Sequence, residues 1–450
     1  MSLDCGIVGL PNVGKSTIFS ALTAAPAAAE NFPFCTIDPN VGIVELPDER
    51  LDFLAKVNQP KKKTPASVKF VDIAGLIKGA SNGEGLGNQF LANIRETACI
   101  AHVVRCFDNP DIMHVREDAN TEASIDPESD ILTINYELAQ ADLQTIAKRE
   151  EKNIRQVRAL GKEAEKQLAP WNSAVAKIKP LLQDGKCARQ ADLTDDEKLA
   201  VRDMFLLTMK PTLYVANIDE ESISAQTNKY VEVVQKIAAA ENSEVVVICG
   251  KFESDLSEIT EPAERADFME AAGLKESGLS TLARKAYHLM GLRTFFTGGS
   301  DECRAWTIHE GDKAPQAAGV IHTDFEKGFI KAEAYSIDDL KQYGSEAKIK
   351  EAGKYRQEGK EYVVQDGDVL FFKFNTYGEG SVCLSLLYGF SFALQFCVAE
   401  LRMTVLGSQR NQGEGSAVLA LFTDFPFILH FFSKNISKTS VFYKKNPIYR

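Results

Sequence analysis

Short apolar runs alternate with helical patterns over the first 290 residues. Residues 3–10 (LDCGIVGL) form an apolar run ending near glycine, which suits a buried strand. Runs at 41–46 (VGIVEL), 67–73 (SVKFVDI), 99–107 (CIAHVVRCF), 211–217 (PTLYVAN) and 244–250 (EVVVICG) have the same character. Helical patterns lie between several of them, the first from Lys15 to about Thr23. Strands alternating with helices predict an α/β fold on a mostly parallel sheet covered on both faces.

One long stretch departs from this rhythm. Leu132, Tyr136, Ala139, Leu143 and Ile146 recur at spacings of 4, 3, 4 and 3, a heptad seam. Glu150 and Asn153 interrupt it, and Val157 and Leu160 resume it. Pro170 and Pro180 predict breaks, and 194–209 reads as helical again. The pattern predicts an antiparallel helical arm over 131–209, inserted between two strands of a domain formed by 1–130 and 210–290. Ordinary surface helices would carry the same spacing. After Gly291 the runs 328–335, 361–365 and 369–374 read as β, with turns at Gly359 and at Asp366 and Gly367, and predict a separate small α+β domain over 292–375.

Charge divides the chain differently. The 450 residues carry a formal charge of −12. Residues 1–375 hold 44 basic and 59 acidic side chains, and 376–450 hold 7 and 4, with 9 of the 26 Phe. An acidic chain does not bind nucleic acid through its net field, although a local basic patch is compatible with it. The nine Cys have neither CxxC pairing nor zinc spacing, and the N-terminus lacks a signal-peptide pattern. Both features predict a reducing, cytoplasmic setting. Residues 380–399 are uncharged over a length that can span a bilayer. That stretch is compatible with an anchor, a buried helix or non-native sequence. The irregular composition of 376–450 suits a read-through or out-of-frame extension better than an evolved domain.

The chemistry concentrates near the N-terminus. Residues 9–16 (GLPNVGKS) are a complete GxxxxGKS between an apolar strand and a helix. Asn12, Val13, Gly14, Lys15, Ser16 and Thr17 would curl around a phosphate, with Lys15 reaching the β/γ oxygens and the Ser16 hydroxyl binding Mg²⁺. Asp72 and Gly75 complete DxxG after a second strand, where the carboxylate serves Mg²⁺ and the glycine amide senses the γ-phosphate. Thr36, in the loop-like stretch NFPFCTIDP, is a candidate second hydroxyl ligand for Mg²⁺. A Gly-rich stretch, 79–88, follows DxxG.

GLPNVGKST, NFPFCTIDPN, DIAGLIKGASNGEGLGNQFL and APQAAGVIHTDFEKGFIKAE closely resemble the YchF family, the bacterial Obg-like ATPases. The resemblance covers about residues 1–375 and ends near Asn375. It implies a P-loop G domain, a helical coiled-coil insertion and a C-terminal TGS domain of β-grasp form. It also implies a monomer that binds ATP more tightly than GTP, with the ribosome or its RNA as partner through the arm and TGS domain. The basic run 61–63 and the residues Lys148, Arg149, Lys152, Arg155 and Arg158 offer local support, although a charge run is usually a solvated face.

Guanine-reading proteins of this class carry NKxD, whose Asp accepts two hydrogen bonds from the base edge. The corresponding strand end here has Asn217, Ile218, Asp219 and Glu220. The longer Glu220 carboxylate cannot take the same bidentate position, which predicts weakened guanine selectivity. The resemblance adds adenine packed beside Asn217 and Ile218. A GTPase with a tolerated substitution is the alternative.

Leu76 follows DxxG where Ras-like enzymes have the Gln that orients water, and Leu has no polar group to do so. Two routes are open. Asn12 resembles the Asn that holds K⁺ in cation-dependent relatives, and K⁺ would add positive charge at the β/γ bridge. Alternatively, His114 orients the water. With no Gln at that place and no evident cis arginine finger, turnover is expected to be slow without a partner. A regulatory protein that keeps bound nucleotide intact would use the same loop, and only the tail suggests a membrane-attached NTPase.

Overall fold

The structure is a computed structural model and describes residues 4–24, 40–73, 86–109 and 125–375, without the side chains of 86–89. Thr36, Gly75, Leu76, His114 and the whole of 376–450 lie outside the described residues. The strands are β1 Asp4–Val8, β2 Val41–Glu45, β3 Lys62–Thr64, β4 Ser67–Asp72, β5 Cys99–Arg105, β6 Thr212–Asn217, β7 Glu244–Ile248, β8 Leu292–Gly298, β9 Glu302–His309, β10 Phe329–Ser336, β11 Arg356–Glu358 and β12 Asp368–Phe374. They form two six-stranded sheets.

The first sheet runs β2-β4-β1-β5-β6-β7, parallel except for β2. The apolar runs predict these six strands; the central ones supply residues to two covered faces, whereas the edge strand β2 alternates buried and half-exposed positions. All of β5 and β6 is buried, as a parallel sheet between helices requires. One face packs Ile7, Val103 and Val215 against helices Lys15–Thr23 and Gly278–Leu289. The other packs Val8 and Ile100 against helices Leu86–Glu96 and Pro127–Leu160. Strand order reverses beside β1, so its carboxyl end opens at the switch point where α/β sheets bind ligands.

The second sheet runs β11-β10-β12-β8-β9-β3. Its last member comes from the first part of the chain, since β3 pairs in parallel with β9. The basic run 61–63 therefore builds an edge strand. Lys61 is paired with Asp301 and Lys63 with Asp52, which accounts for two of its three charges without a nucleic acid. Residues 361–365 form no strand. Val363 makes one isolated bridge to Lys313, and Val364 fills the core beneath β8 from a turn.

The arm begins with helix Pro127–Leu160, 34 residues long, with Asp126 accepting from the Ser129 amide at its N-terminus. The chain turns at Gly161 and returns through helix Ala169–Gln183. Glu150 pairs with Lys179, and Tyr136 lies near Gly185, so the two helices run antiparallel. Pro170 sits in the first turn of the returning helix, where no amide is needed. Pro180 lies inside that helix near its end and does not break it. The heptad seam holds for Ala139, Leu143 and Ile146, which pack with Trp171, Val175 and Ile178. Leu132 and Tyr136 are instead 53% and 51% exposed. The root of the helix is gripped by the sheet through another face, Ile131, Ile134 and Leu138, and only beyond Ala139 does it face the returning helix. The 194–209 stretch is helical over Asp195–Val201, with a Thr194/Glu197 capping box, followed by short 3-10 turns.

Buried polar groups tie the arm together and to the sheet. Asp142 accepts the Leu207 and Thr208 amides at 2.8 Å each and the Thr208 hydroxyl at 2.6 Å. Burial pushes its carboxyl up to about 6 despite these donors. Glu241 accepts from the Tyr214 hydroxyl at 2.8 Å and is paired with Arg189. Among the described residues, no helix is long and apolar enough to cross a membrane.

Candidate nucleotide-binding site

The loop after β1 is shaped for an anion. Asn12 and Gly14 have φ of 64° and 90°, so the backbone curls before helix Lys15–Thr23 begins. Gly14 is also required sterically, because a Cβ there would lie 2.1 Å from Asn217 Nδ2. That helix has no side-chain cap and no acidic residue in its first turn. Its first amides and positive dipole end are left to a ligand such as phosphate. Val13 is buried, whereas Asn12, Ser16 and Thr17 are exposed.

The fold brings Lys15 and Asp72 together. β4 lies beside β1, and the Asp72 carboxylate at its end accepts from Lys15 Nζ. The Ser16 hydroxyl and the Asp72 carboxylate are hard oxygen donors on adjoining elements, a donor set that fits Mg²⁺.

A cavity of about 860 Å³ extends from the loop past the ends of β5, β6 and β7. Asn217 braces it. Its Nδ2 donates to Val13 O and its Oδ1 accepts from the Gly250 amide, each at 2.9 Å. Ile218 is only 2% exposed and packs in the core with Cys106 and Phe252, so it presents almost nothing to a base. Asp219 accepts the Ser222 amide and serves its own turn. Glu220 lines the cavity and pairs with Lys251 at 2.5 Å, which raises the lysine's pKa.

Sequence reasoning missed Phe107, Asn109, Cys249 and Lys251, all of which line the cavity. The rule that ligands sit beyond the carboxyl ends of parallel strands, applied after Arg105 and Ile248, is the signal that finds them.

Known proteins similar to this chain include nucleotide-binding ones. A family model described as a 50S ribosome-binding GTPase matches residues 4–152, and one described as the YchF-GTPase C-terminal protein of unknown function matches 292–375. The ribosome-binding ATPase YchF of Escherichia coli is 50% identical over 375 residues, 83% of this chain and 100% of that one. Its Bacillus subtilis namesake is 49% identical over 376 residues, 83% of this chain and 100% of that one. Obg-like ATPase 1 of Rattus norvegicus is 45% identical over 379 residues, covering 83% and 93%. The structure of the Schizosaccharomyces pombe YchF GTPase superposes with a TM-score of 0.73 at 38% identity, covering 82% of this chain and 97% of that one. A GTP binding protein from Pyrococcus horikoshii, at 18% identity and a TM-score of 0.51 over 83% and 100%, shares the fold. With its P-loop, its two sheets and this level of identity, the chain belongs to the YchF/Obg-like ATPase family and is a P-loop nucleotide hydrolase.

Proposed function

We propose that this chain is a Mg²⁺-dependent ATPase that prefers ATP to GTP and acts in the cytoplasm as a nucleotide-driven switch on the large ribosomal subunit or its RNA. The observation that carries the base preference is Glu220, which stands in the guanine-reading slot with its carboxylate engaged by Lys251. A guanine edge would need a free acceptor there. Adenine would lie by Asn217 and Phe107, with Ile218 behind it.

In this reading the amides of residues 13–17 and the Lys15 amine hold the triphosphate, and Gly75 senses the γ-phosphate. Mg²⁺, held by Ser16, Thr36 and Asp72, would supply positive charge to the β/γ oxygens. The attacking water is set either by K⁺ held at Asn12 or by His114. Unchanged turnover in H114A removes the second, and indifference to K⁺ versus Na⁺ removes the first. Titration of nucleotide-free protein is expected to give tighter binding of ATP than of GTP. Equal or tighter GTP binding would sink the Glu220 argument.

The ribosomal partner is proposed from the relatives' names and from the arm, where Lys148, Lys152 and Arg158 are exposed. Co-sedimentation with large subunits is expected to change between ATP and ADP. Equal recovery in both states would leave a binder without a switch.

A further inference from the structure

Arg105 ends β5, and its side chain is among the largest fully buried ones, only 1% exposed. A guanidinium taken from water needs partners for its donors and its charge. Nε donates to the Phe107 carbonyl at 3.2 Å, and Nη2 donates to the Asn109 carbonyl at 3.1 Å. The guanidinium carbon lies 4.7 Å from the centre of the Phe107 ring. Burial lowers the Arg105 pKa, while the carboxylates of Asp108 and Asp130 favour its charge. Asp130 comes from the first turn of the arm helix and is itself buried.

These contacts account for how the chain is held once the β-ladder ends. Cys106 is tied on both sides, its amide donating to Asn217 O and its carbonyl accepting from Asn228, each at 2.8 Å. Beyond it, Arg105 grips the backbone at 107 and 109 with one planar fork and lies against the ring between those carbonyls. Phe107, Asp108 and Asn109 all line the nucleotide cavity. The phosphate loop is built from other elements, β1 and the helix after it.

We propose that Arg105 is a positioning residue for the nucleobase: it fixes the 107–109 wall so that the wall is formed before the base arrives. The proposal rests on the reading of the cavity as the nucleotide site. It separates base binding from phosphate binding, since the fork grips the base wall while the phosphate loop is built from other elements. Lysine keeps the charge but cannot reproduce the fork.

The test compares ATP with inorganic tripolyphosphate, each titrated calorimetrically into native, R105M and R105K full-length protein. R105M is expected to bind ATP about tenfold more weakly, the scale of one lost cation–π contact together with charge-assisted hydrogen bonds. Tripolyphosphate affinity should stay at the native value, R105K should fall between, and the loss should appear in KM rather than kcat. Equal losses for both ligands would assign Arg105 a purely structural role and overturn the proposal, as would undiminished ATP affinity. If R105M does not fold, R105K gives the same comparison. A native protein that binds tripolyphosphate as tightly as ATP would remove the base from the cavity and both readings with it. A native ATP preference that survives in R105K and R105M overturns the Arg105 inference alone.

Discussion

Replacing Lys15 with alanine is expected to lower turnover by roughly 10²–10³-fold, the scale of one preorganised charge at a site of developing negative charge. The amine sits at an uncapped helix N-terminus and is paired with the Asp72 carboxylate. In the free protein these two groups neutralise one another. An arriving triphosphate competes for the amine, and the carboxylate is released for the cation. The two substitutions should therefore behave differently. K15A should bind ATP more weakly with or without Mg²⁺. D72N should also lose turnover, yet in EDTA it should bind ATP at least as tightly as the native protein, because Lys15 no longer has an acidic competitor. Phosphate release and calorimetry check both. Weaker ATP binding by D72N in EDTA would show that the pair is not a competitor for phosphate.

What was legible in the sequence follows from how local each constraint is. The phosphate loop has its glycines, lysine and hydroxyl within a few residues, and each is needed for the same anion, so the motif carries its own geometry. Strands β1, β4, β5, β6 and β7 read as apolar runs because helices or neighbouring elements cover them, and β2 reads so through the residues it turns to the core. The base end did not read that way. Phe107, Glu220 and Lys251 follow three different strands, and only the alignment of β5, β6 and β7 makes them neighbours. Glu220 was found because a motif marks its place, whereas Phe107 and Lys251 have none. β8 and β9 escaped for a related reason. Adjacent Phe295 and Phe296 serve opposite cores, and arginines interleave with the apolar residues, so no clean run forms. β3 was hidden by its own lysines, which suit an exposed edge. The arm's helical character is legible in its apolar spacing but its seam is not, since two different partners bury different faces along one helix.

Residues 292–375 produced alone are expected not to form a stable fold, because their sheet is completed from outside. β3 supplies an edge strand, and helix Glu49–Asn58 packs against β8 and β9. The approach is close: a Cβ on Gly298 would lie 2.7 Å from Asn58 Nδ2 and 3.3 Å from Leu54. Leu51 and Leu54 share one core cluster with Phe296, Cys303, Tyr335 and Val369 of the second sheet and with Ile7 and Val103 of the first. Arg50 adds a 2.6 Å pair to Asp366, whose other oxygen accepts the Thr294 amide, and it lies over the Phe296 ring. An isolated 292–375 fragment would expose that shared face. In the full chain Leu54→Ala should cost about 2–5 kcal/mol, the usual price of a large-to-small change at a fully buried site. The chain has two Trp, Trp171 in the arm and Trp306 on β9, so W171F leaves a reporter confined to the second sheet. In that background L54A should shift the Trp306 unfolding midpoint in urea together with loss of nucleotide binding. A Trp306 transition unmoved by L54A, or cooperative unfolding of 292–375 by itself, would show that the second sheet stands alone. Coupled loss would mean that the two sheets unfold as one cooperative unit, with helix Glu49–Asn58 as the element they share.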